Sequence, residues 1–525
     1  MDREAERPRP PARRAPAGHR WALIAFILVS FALRVYDLGG REFWFDEALT
    51  ANVSGLGWEG IVAHLSSAPF EHPPLYFLSL YPWQQAVGRS EFAFRFFSVF
   101  WGVLFVPLLY LLVARLAGRS LALLAALLGT ISPFLVAYSQ EARMYSLLPV
   151  LALLTLLAFW TALARERRPA WWLAYLVLLV AGVATHYYFG LIWLASACYL
   201  ALDYARRRRL RPWAVAIHAA LPVGAIIWLS AAPGLRDSLG RVLQGETAFG
   251  LAYKLNKVVP TLMLAEVSGG EVPLVAHLLA AGGWLLALIG VWTSHRAGQL
   301  PRRAWQLLLL FLAVPLAAAL LIPYGVLGRH LGYLLIPLLI FQALGLVGLW
   351  RRGRAWLALG LVALLLPASY GLAVHYRADN GNFGQAMAYI DHRGLPGDLL
   401  ILNQPLQEPL VTYYNHGAWP VRYLPEGSDP PAEAEVAEAL AGLQQAHPRL
   451  WLGPIGAWTA DPELLVEQWL AANAYQADKV WFEDSTSVGL YFSGGQELDP
   501  VEVAPWIWGG RIRLQSLAAG NLQVP

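Results

Sequence analysis

Residues 92–114 read FAFRFFSVFWGVLFVPLLYLLVA, and Arg115 and Arg119 follow directly. A helix rises about 1.5 Å per residue, so roughly 20 largely apolar residues are needed to cross the ~30 Å hydrocarbon core of a bilayer. This stretch has that length, and the pattern of an apolar run closed by arginines recurs along most of the chain. Comparable segments occupy Trp21–Val35, Phe92–Ala114, Ser120–Ala137, Ser146–Ala164, Trp171–Thr185, Tyr188–Leu202, Trp213–Ala231, Pro273–Thr293, Trp305–Pro323, Leu331–Trp350 and Ala355–Ala373. Backbone in lipid must satisfy its own hydrogen bonds, so the segments predict a membrane all-α bundle of about eleven transmembrane helices.

Composition points the same way. The 525 residues are 57% hydrophobic and 14% charged, where a soluble domain carries about 25% charged residues. An aromatic content of 13% excludes disorder, and the single cysteine, Cys198, excludes a disulfide scaffold. The net charge is 39 − 35 = +4. Its basic residues sit in short clusters between apolar runs, not along one face, so no nucleic-acid partner is expected. The clusters are the N-terminal arginines up to Arg20, then Arg115 and Arg119, then Arg165, Arg167 and Arg168. Arg206–Arg209 with Arg211, then Arg296, Arg302 and Arg303, then Arg351, Arg352 and Arg354 complete the series. Every cluster falls in an even-numbered gap, so all share one side, which the positive-inside bias makes cytoplasmic.

These regularities predict a multi-pass protein of the cell inner (plasma) membrane with a cytoplasmic N-terminus. Residues 1–20 are rich in Pro and Arg and read as disordered. The first apolar run leads into Arg34, Tyr36 and Asp37 without a small-residue cleavage site, so it reads as an uncleaved helix. Residues 21–374 form the transmembrane domain. In its first outer gap, Trp58, Ile61, Val62 and Leu65 repeat at helical spacing, as in a short interfacial helix. Residues 379–525 lack any span-length run. They alternate strand-like stretches (Asp398–Leu402, Arg449–Leu452, Lys479–Phe482, Val488–Phe492) with helix-like ones (Phe383–His392, Ala432–Gln445, Pro462–Ala474). This is an α/β domain, extracytoplasmic after eleven crossings, with a helix cap signalled by Asp461-Pro462. No phosphate-binding glycine fingerprint or metal-spaced Cys/His occurs in it.

Residue types sort by side. The outer gaps hold Asp46 and Glu47 in Phe43-Trp44-Phe45-Asp46-Glu47-Ala48, and His72 in Glu71-His72-Pro73-Pro74-Leu75-Tyr76. They also hold Glu141, Arg143 and Tyr145 in Ser139-Gln140-Glu141-Ala142-Arg143-Met144-Tyr145, then His186, Tyr187 and Tyr188, then Arg329 and His330. The inner loops show mainly arginine. Ionisable groups at membrane depth are costly and by default mark function. Each has a structural alternative. Asp46-Glu47 fit a helix cap, His72 a Pro-Pro helix break, Glu141 and Arg143 an ion pair, and His186 a satisfied core histidine. Arg329-His330 fit a snorkelling helix end. An Arg on the outer side runs against the positive-inside bias, and residues two apart on a helix, such as Glu141 and Arg143, do not face each other.

The acidic pair after the first span, the His-Pro-Pro-Leu-Tyr element, Gln140–Tyr145 and Gly328-Arg329-His330 together resemble the GT-C integral-membrane glycosyltransferases. The similarity is to the bacterial branch near protein O-mannosyltransferases, lipid A aminoarabinose transferases and Rgt-type transferases. It covers about Trp21 to Ala373 and rests on the order of motifs along the spans. It implies an inverting transfer of a hexosyl or pentosyl group from a polyprenyl-phosphate-linked sugar to an acceptor hydroxyl on a lipid, protein or glycan. Asp46 maps to the expected general base, with Glu47 beside it. Glu141 maps to the acidic residue that orients the acceptor or holds a divalent metal in metal-using members. Arg329, His330, Arg143 and His72 map to the donor phosphate, although some relatives have Lys where this chain has His72. Trp44, Tyr76, Tyr145, His186 and Tyr187 are candidates for contact with sugar or acceptor.

The chemistry is consistent with such a set. A lipid phosphate is already a good leaving group, so one base for the acceptor proton suffices, with cations where phosphate charge develops. Arginine's planar fork suits that second task. Rival readings are a transporter or flippase, and an O-antigen ligase or polymerase handling lipid-linked sugars. A transporter would place ionisable groups near the midplane, usually with inverted repeats, and no repeat is evident here.

Overall fold

The structure, a computed structural model, describes residues 17–67, 72–166, 168–208, 211–231, 250–265, 272–322, 325–378, 381–403, 407–427, 430–453, 460–482, 486–493, 501–508 and 512–517, with part of 233–240. The disordered stretch expected at 1–20 lies outside them up to residue 16, as do Glu71, Arg167, Arg209 and, in the gap 233–272, residues 241–249 and 266–271. The chain divides into two compact units, residues 1–41 with 49–379 and residues 42–48 with 380–525.

The first unit is helical. Among the described residues, eight helices are long and apolar enough to cross a membrane. Three shorter apolar helices, Arg119–Ile131, Pro169–Val183 and Pro212–Ile227, occupy the other three apolar segments of the sequence. The first of these is cut short where Ser132 adopts extended backbone before Pro133, the residue that opens the next helix, Pro133–Ala137. It is a multi-pass membrane protein, as its exposed surface shows. Leu274, Leu278, Leu285 and Leu288 form an exposed apolar stripe on the helix Leu274–Ala297, acceptable in hydrocarbon but not in water. By contrast, the span Gly328–Trp350 is almost wholly buried inside the protein.

Close helix packing explains that burial. The opposite face of Leu274–Ala297 carries Ala276, Ala280, Gly283, Ala287, Gly290 and Ser294, at alternating spacings of four and three. This stripe of small residues lets the backbone approach Leu335–Trp350, with which the helix packs. A Cβ on Gly290 would stand 1.7 Å from the carbonyl oxygen of Phe341, and one on Gly345 2.3 Å from that of Leu286.

Sequence reading underestimated the first outer gap. Among the described residues it holds three helices, Phe45–Ser54, Gly57–Ser67 and Leu75–Val87; the middle one was expected, and the first agrees with the cap alternative for Asp46-Glu47. A further helix, Leu251–Leu264, lies in the gap after Pro233. Its polar residues Lys254, Asn256 and Lys257 dilute the apolar signal, yet Val258, Thr261, Leu262 and Met263 are buried. Lys254 donates to the carbonyls of Ala319 (3.1 Å) and Ile322, where the helix Arg302–Leu321 ends. A cation there satisfies orphan carbonyls and complements the helix dipole.

The second unit is built on a five-stranded mixed sheet of β1 (Leu399–Leu402), β2 (Val421–Tyr423), β3 (Arg449–Gly453), β4 (Ala474–Phe482) and β5 (Thr486–Ser493). The spatial order is β2-β1-β3-β5-β4, parallel among the first three and antiparallel on either side of β5. Leu399 and Ile401 pack with Leu450 and Leu452 against Val436 and Leu440 of the helix Glu433–Ala446 and Val466 and Leu470 of Leu465–Asn473. The Asp461 signal is realised. Its carboxylate accepts from the N–H groups of Leu465 (2.8 Å) and Val466 (3.1 Å), which the helix itself leaves unpaired. Two further strands, Val501–Trp508 and Ile512–Leu517, pair antiparallel as a separate hairpin.

Candidate functional site

In the first unit, the stretch Ser139–Ser146 is non-helical and enters the helix Leu147–Ala164. Gln140 fixes it. Its amide nitrogen donates to the carbonyls of Arg34 (3.1 Å) and Tyr36 (2.7 Å), the open end of the helix Ala17–Val35. Its amide oxygen pairs with His375 Nε2 at 2.6 Å. Arg34 reinforces the anchor by donating to Ser139 Oγ at 3.2 Å.

So held, Arg143 is buried, and its guanidinium donates to Thr50 Oγ1 at 3.0 Å. Ser98 donates to the Arg143 carbonyl at 3.2 Å and meets the Tyr76 hydroxyl at 3.1 Å. The Arg143 and Arg329 guanidinium carbons each lie 5.9 Å from the centre of the Tyr145 ring. Two cations from remote parts of the sequence therefore share one aromatic neighbour.

Beside them stand three histidines. The His186 and His330 ring centres are 4.8 Å apart, His72 lies 5.0 Å from His186, and His72 and His330 are 6.5 Å apart. Tyr188 stacks on both His186 (5.4 Å) and His330 (5.3 Å), and its backbone carbonyl accepts from the Tyr333 hydroxyl at 2.9 Å. Tyr145 lies 6.4 Å from His186 and 6.1 Å from His330.

The protonation of this group follows from its surroundings. Burial lowers the His186 pKa from 6.5 to about 3, with Arg143 and Arg329 adding to the shift. His72 is pushed well below its ordinary value, first by burial and then by Arg143, His186 and Arg329. Both imidazoles are neutral at physiological pH. His186 Nδ1 accepts from the Tyr188 N–H at 3.2 Å, which assigns the ring proton to Nε2. That Nε2 is buried and has no partner. A buried imidazole N–H beside two guanidinium groups is a donor set suited to an acceptor oxygen.

The structure thus brings together His72, Arg143, Tyr145, His186, Arg329 and His330. Tyr76 is fully buried and supports Arg143 through Ser98. Tyr187 lies in the short 3-10 turn Tyr187–Phe189. Glu141, partly exposed, occupies the Gln140–Tyr145 loop. Asp46 and Glu47 fall in the first turn of Phe45–Ser54, where carboxylates favour the helix dipole, and Glu47 is buried. Trp44, Asp46 and Glu47 belong to segment 42–48 of the second unit. Sequence reasoning gave no role to Thr50, Ser98 or Tyr333, which only the packing identifies. Tyr188, noted beside His186, had been assigned none. Among the described residues, no group of three or more His, Cys, Asp or Glu is arranged to hold a metal ion.

Comparison with known proteins completes the description. Residues 71–230 match the family described as dolichyl-phosphate-mannose-protein mannosyltransferase. No curated protein matches the sequence. ArnT from Cupriavidus metallidurans, solved bound to undecaprenyl phosphate, is similar with a TM-score of 0.58 at 14% identity, covering 90% of this chain and 98% of that one. The Archaeoglobus fulgidus oligosaccharyltransferase in its apo form gives 0.57 at 14% identity over 91% of this chain and 75% of that one. The archaeal oligosaccharyltransferase AglB from the same species, in complex with an inhibitory peptide and a dolichol-phosphate, gives 0.54 at 13% identity, over 92% and 75%. At 13–14% identity the likeness to these solved structures is one of fold, a membrane helical bundle followed by a further region.

Proposed function

We propose that the protein is a glycosyltransferase that moves a sugar from a polyprenyl-phosphate-linked donor to an acceptor hydroxyl on the non-cytosolic face of the membrane, with inversion. One observation carries this reading: the orphaned Nε2–H of His186 lies in a buried group with Arg143 and Arg329. Two guanidinium forks and a neutral donor suit a phosphate whose charge grows as the glycosidic bond stretches. The ends of apolar helices suit a donor whose tail stays in hydrocarbon. The undecaprenyl phosphate bound by the C. metallidurans protein is a ligand of that class.

In this reading Arg143, Arg329, His186, His330 and His72 receive the phosphate and its sugar. Tyr145 and Tyr187, with Trp44, supply aromatic surface to sugar or acceptor, whereas the fully buried Tyr76 acts through Ser98 on Arg143. Asp46 takes the proton of the acceptor hydroxyl as its oxygen attacks the anomeric carbon, and the lipid phosphate leaves with the bonding pair. Glu47 and Glu141 orient the acceptor. Asp46 lies one helical turn before Thr50, the residue Arg143 holds. Inner-membrane location, a cytoplasmic N-terminus and an outer 379–525 domain complete the assignment.

Asp46→Asn tests it in protein reconstituted with a panel of undecaprenyl-phosphate-linked hexoses and pentoses. Loss of about 10²–10⁴ in turnover is expected, the usual contribution of a general base, with insertion and donor affinity retained. Undiminished turnover refutes the base, and equal uptake of intact donor without sugar release points to a flippase instead.

A further inference from the structure

Glu42 lies four residues before Asp46 and is tied to a segment more than 300 residues away in sequence. Its carboxylate accepts from the backbone N–H groups of Gly384 and Gln385, the latter at 2.8 Å. These are first-turn amides of the helix Phe383–Arg393, whose own N-cap residue, Asn382, makes no side-chain cap. Such amides have no intrahelical acceptor, and the helix dipole favours an anion there. Glu42 therefore caps a helix of the α/β domain from outside it.

Two observations strengthen the tie. The Phe43 N–H donates to the Tyr414 hydroxyl at 2.7 Å, and the Phe43 ring packs on Tyr413 at 4.9 Å. A Cβ on Gly384 would stand 2.8 Å from the Tyr414 ring and 3.1 Å from the Glu42 carboxyl carbon. Glycine at 384 is what lets carboxylate, amides and tyrosine close together. Residues 42–48 accordingly pack as part of the second unit, although the helix Phe45–Ser54 continues beyond them.

We infer that the α/β domain acts in the transfer reaction as a clamp on the acidic segment, with Glu42 as a positioning residue that sets the direction of the Asp46 carboxylate. The inference rests on the assignment of Asp46 as base. Glu42 and Phe43 are fixed immediately upstream of the first helical turn. Releasing them frees that turn to fray, and Asp46 loses its alignment. A misplacement of about 1 Å costs on the order of 10²-fold in rate.

The full chain in lipid nanodiscs provides the test, through Glu42→Ala, Glu42→Gln and Gly384→Ala. Hydrogen exchange of residues 42–48, turnover of the undecaprenyl-phosphate-sugar panel and affinity for undecaprenyl phosphate alone are measured together. Glu42→Ala and Gly384→Ala are expected to raise exchange at least tenfold and to lower kcat by about 10- to 100-fold. Affinity for undecaprenyl phosphate stays unchanged. Glu42→Gln, which keeps an acceptor oxygen, falls between them and wild type. Unchanged exchange, or raised exchange with full kcat, overturns the inference, as does a loss confined to undecaprenyl phosphate affinity. A wild-type protein that turns over no member of the panel, while Glu42→Ala still loosens 42–48, sinks the transferase reading and the positioning role with it.

Discussion

The Arg143 guanidinium donates to the Thr50 hydroxyl at 3.0 Å, joining the Gln140–Tyr145 loop to the helix whose first turn carries Asp46. One arginine thus serves two neighbours, a hydroxyl on that helix and an aromatic ring it shares with Arg329.

Removing the second cation tests the phosphate cradle. Arg329→Ala is expected to raise the KM for the lipid-phosphate donor by about 10- to 100-fold, the worth of a charge-assisted hydrogen bond. The effect on the acceptor KM is expected to be small. Steady-state kinetics with donor and acceptor varied separately check it, and an unchanged donor KM counts against the cradle.

The neutral histidines predict a pH dependence. The folded protein holds His186 near 3 and His72 well below 6.5, whereas the unfolded chain protonates both near 6.5. The unfolded state therefore binds more protons below 6.5, and stability falls as pH drops from there towards 3. Above about 7 these two groups contribute no slope. Thermal unfolding in detergent between pH 4 and pH 8 measures this, and His186→Phe is expected to flatten the acidic limb.

Backbone-to-backbone helix packing makes Gly290 intolerant. Gly290→Ala places a methyl group against the Phe341 carbonyl, and neither partner is a flexible side chain. A loss of about 1–3 kcal/mol is expected from overpacking, read as a lowered unfolding temperature. Gly298→Ala, at the end of the same helix with open space around it but left-handed backbone, separates steric clash from conformational strain.

Gln140→Leu keeps a side chain of similar size and deletes its amide, leaving the Arg34–Ser139 contact to hold the loop. The Arg34 and Tyr36 carbonyls lose their donor and His375 its partner. About 1–3 kcal/mol is expected for each buried group left unsatisfied. Both stability and turnover fall, and a variant as stable as wild type refutes the anchoring role.

The helical membrane architecture was legible because lipid imposes length and hydropathy on every crossing. The Leu251–Leu264 helix escaped because Lys254 is paid for by carbonyls of a distant helix end, a match no local pattern records. The motifs around Arg143, His186 and Arg329 were visible as misplaced polarity. Their meeting around Tyr145 and Tyr188 was not, because it depends on the course of helices between residues 72 and 330. The join between Glu42 and Gly384 was equally hidden, since its two halves are an unremarkable acid and a glycine in separate parts of the chain.

Gln140 has one further consequence. Its oxygen is satisfied by His375, near the end of the last of the eleven apolar segments. The same oxygen accepts from Arg41 at 3.4 Å, and Arg41 also donates to the His375 carbonyl, so the loop that carries Arg143 is tied to two segments 334 residues apart in sequence.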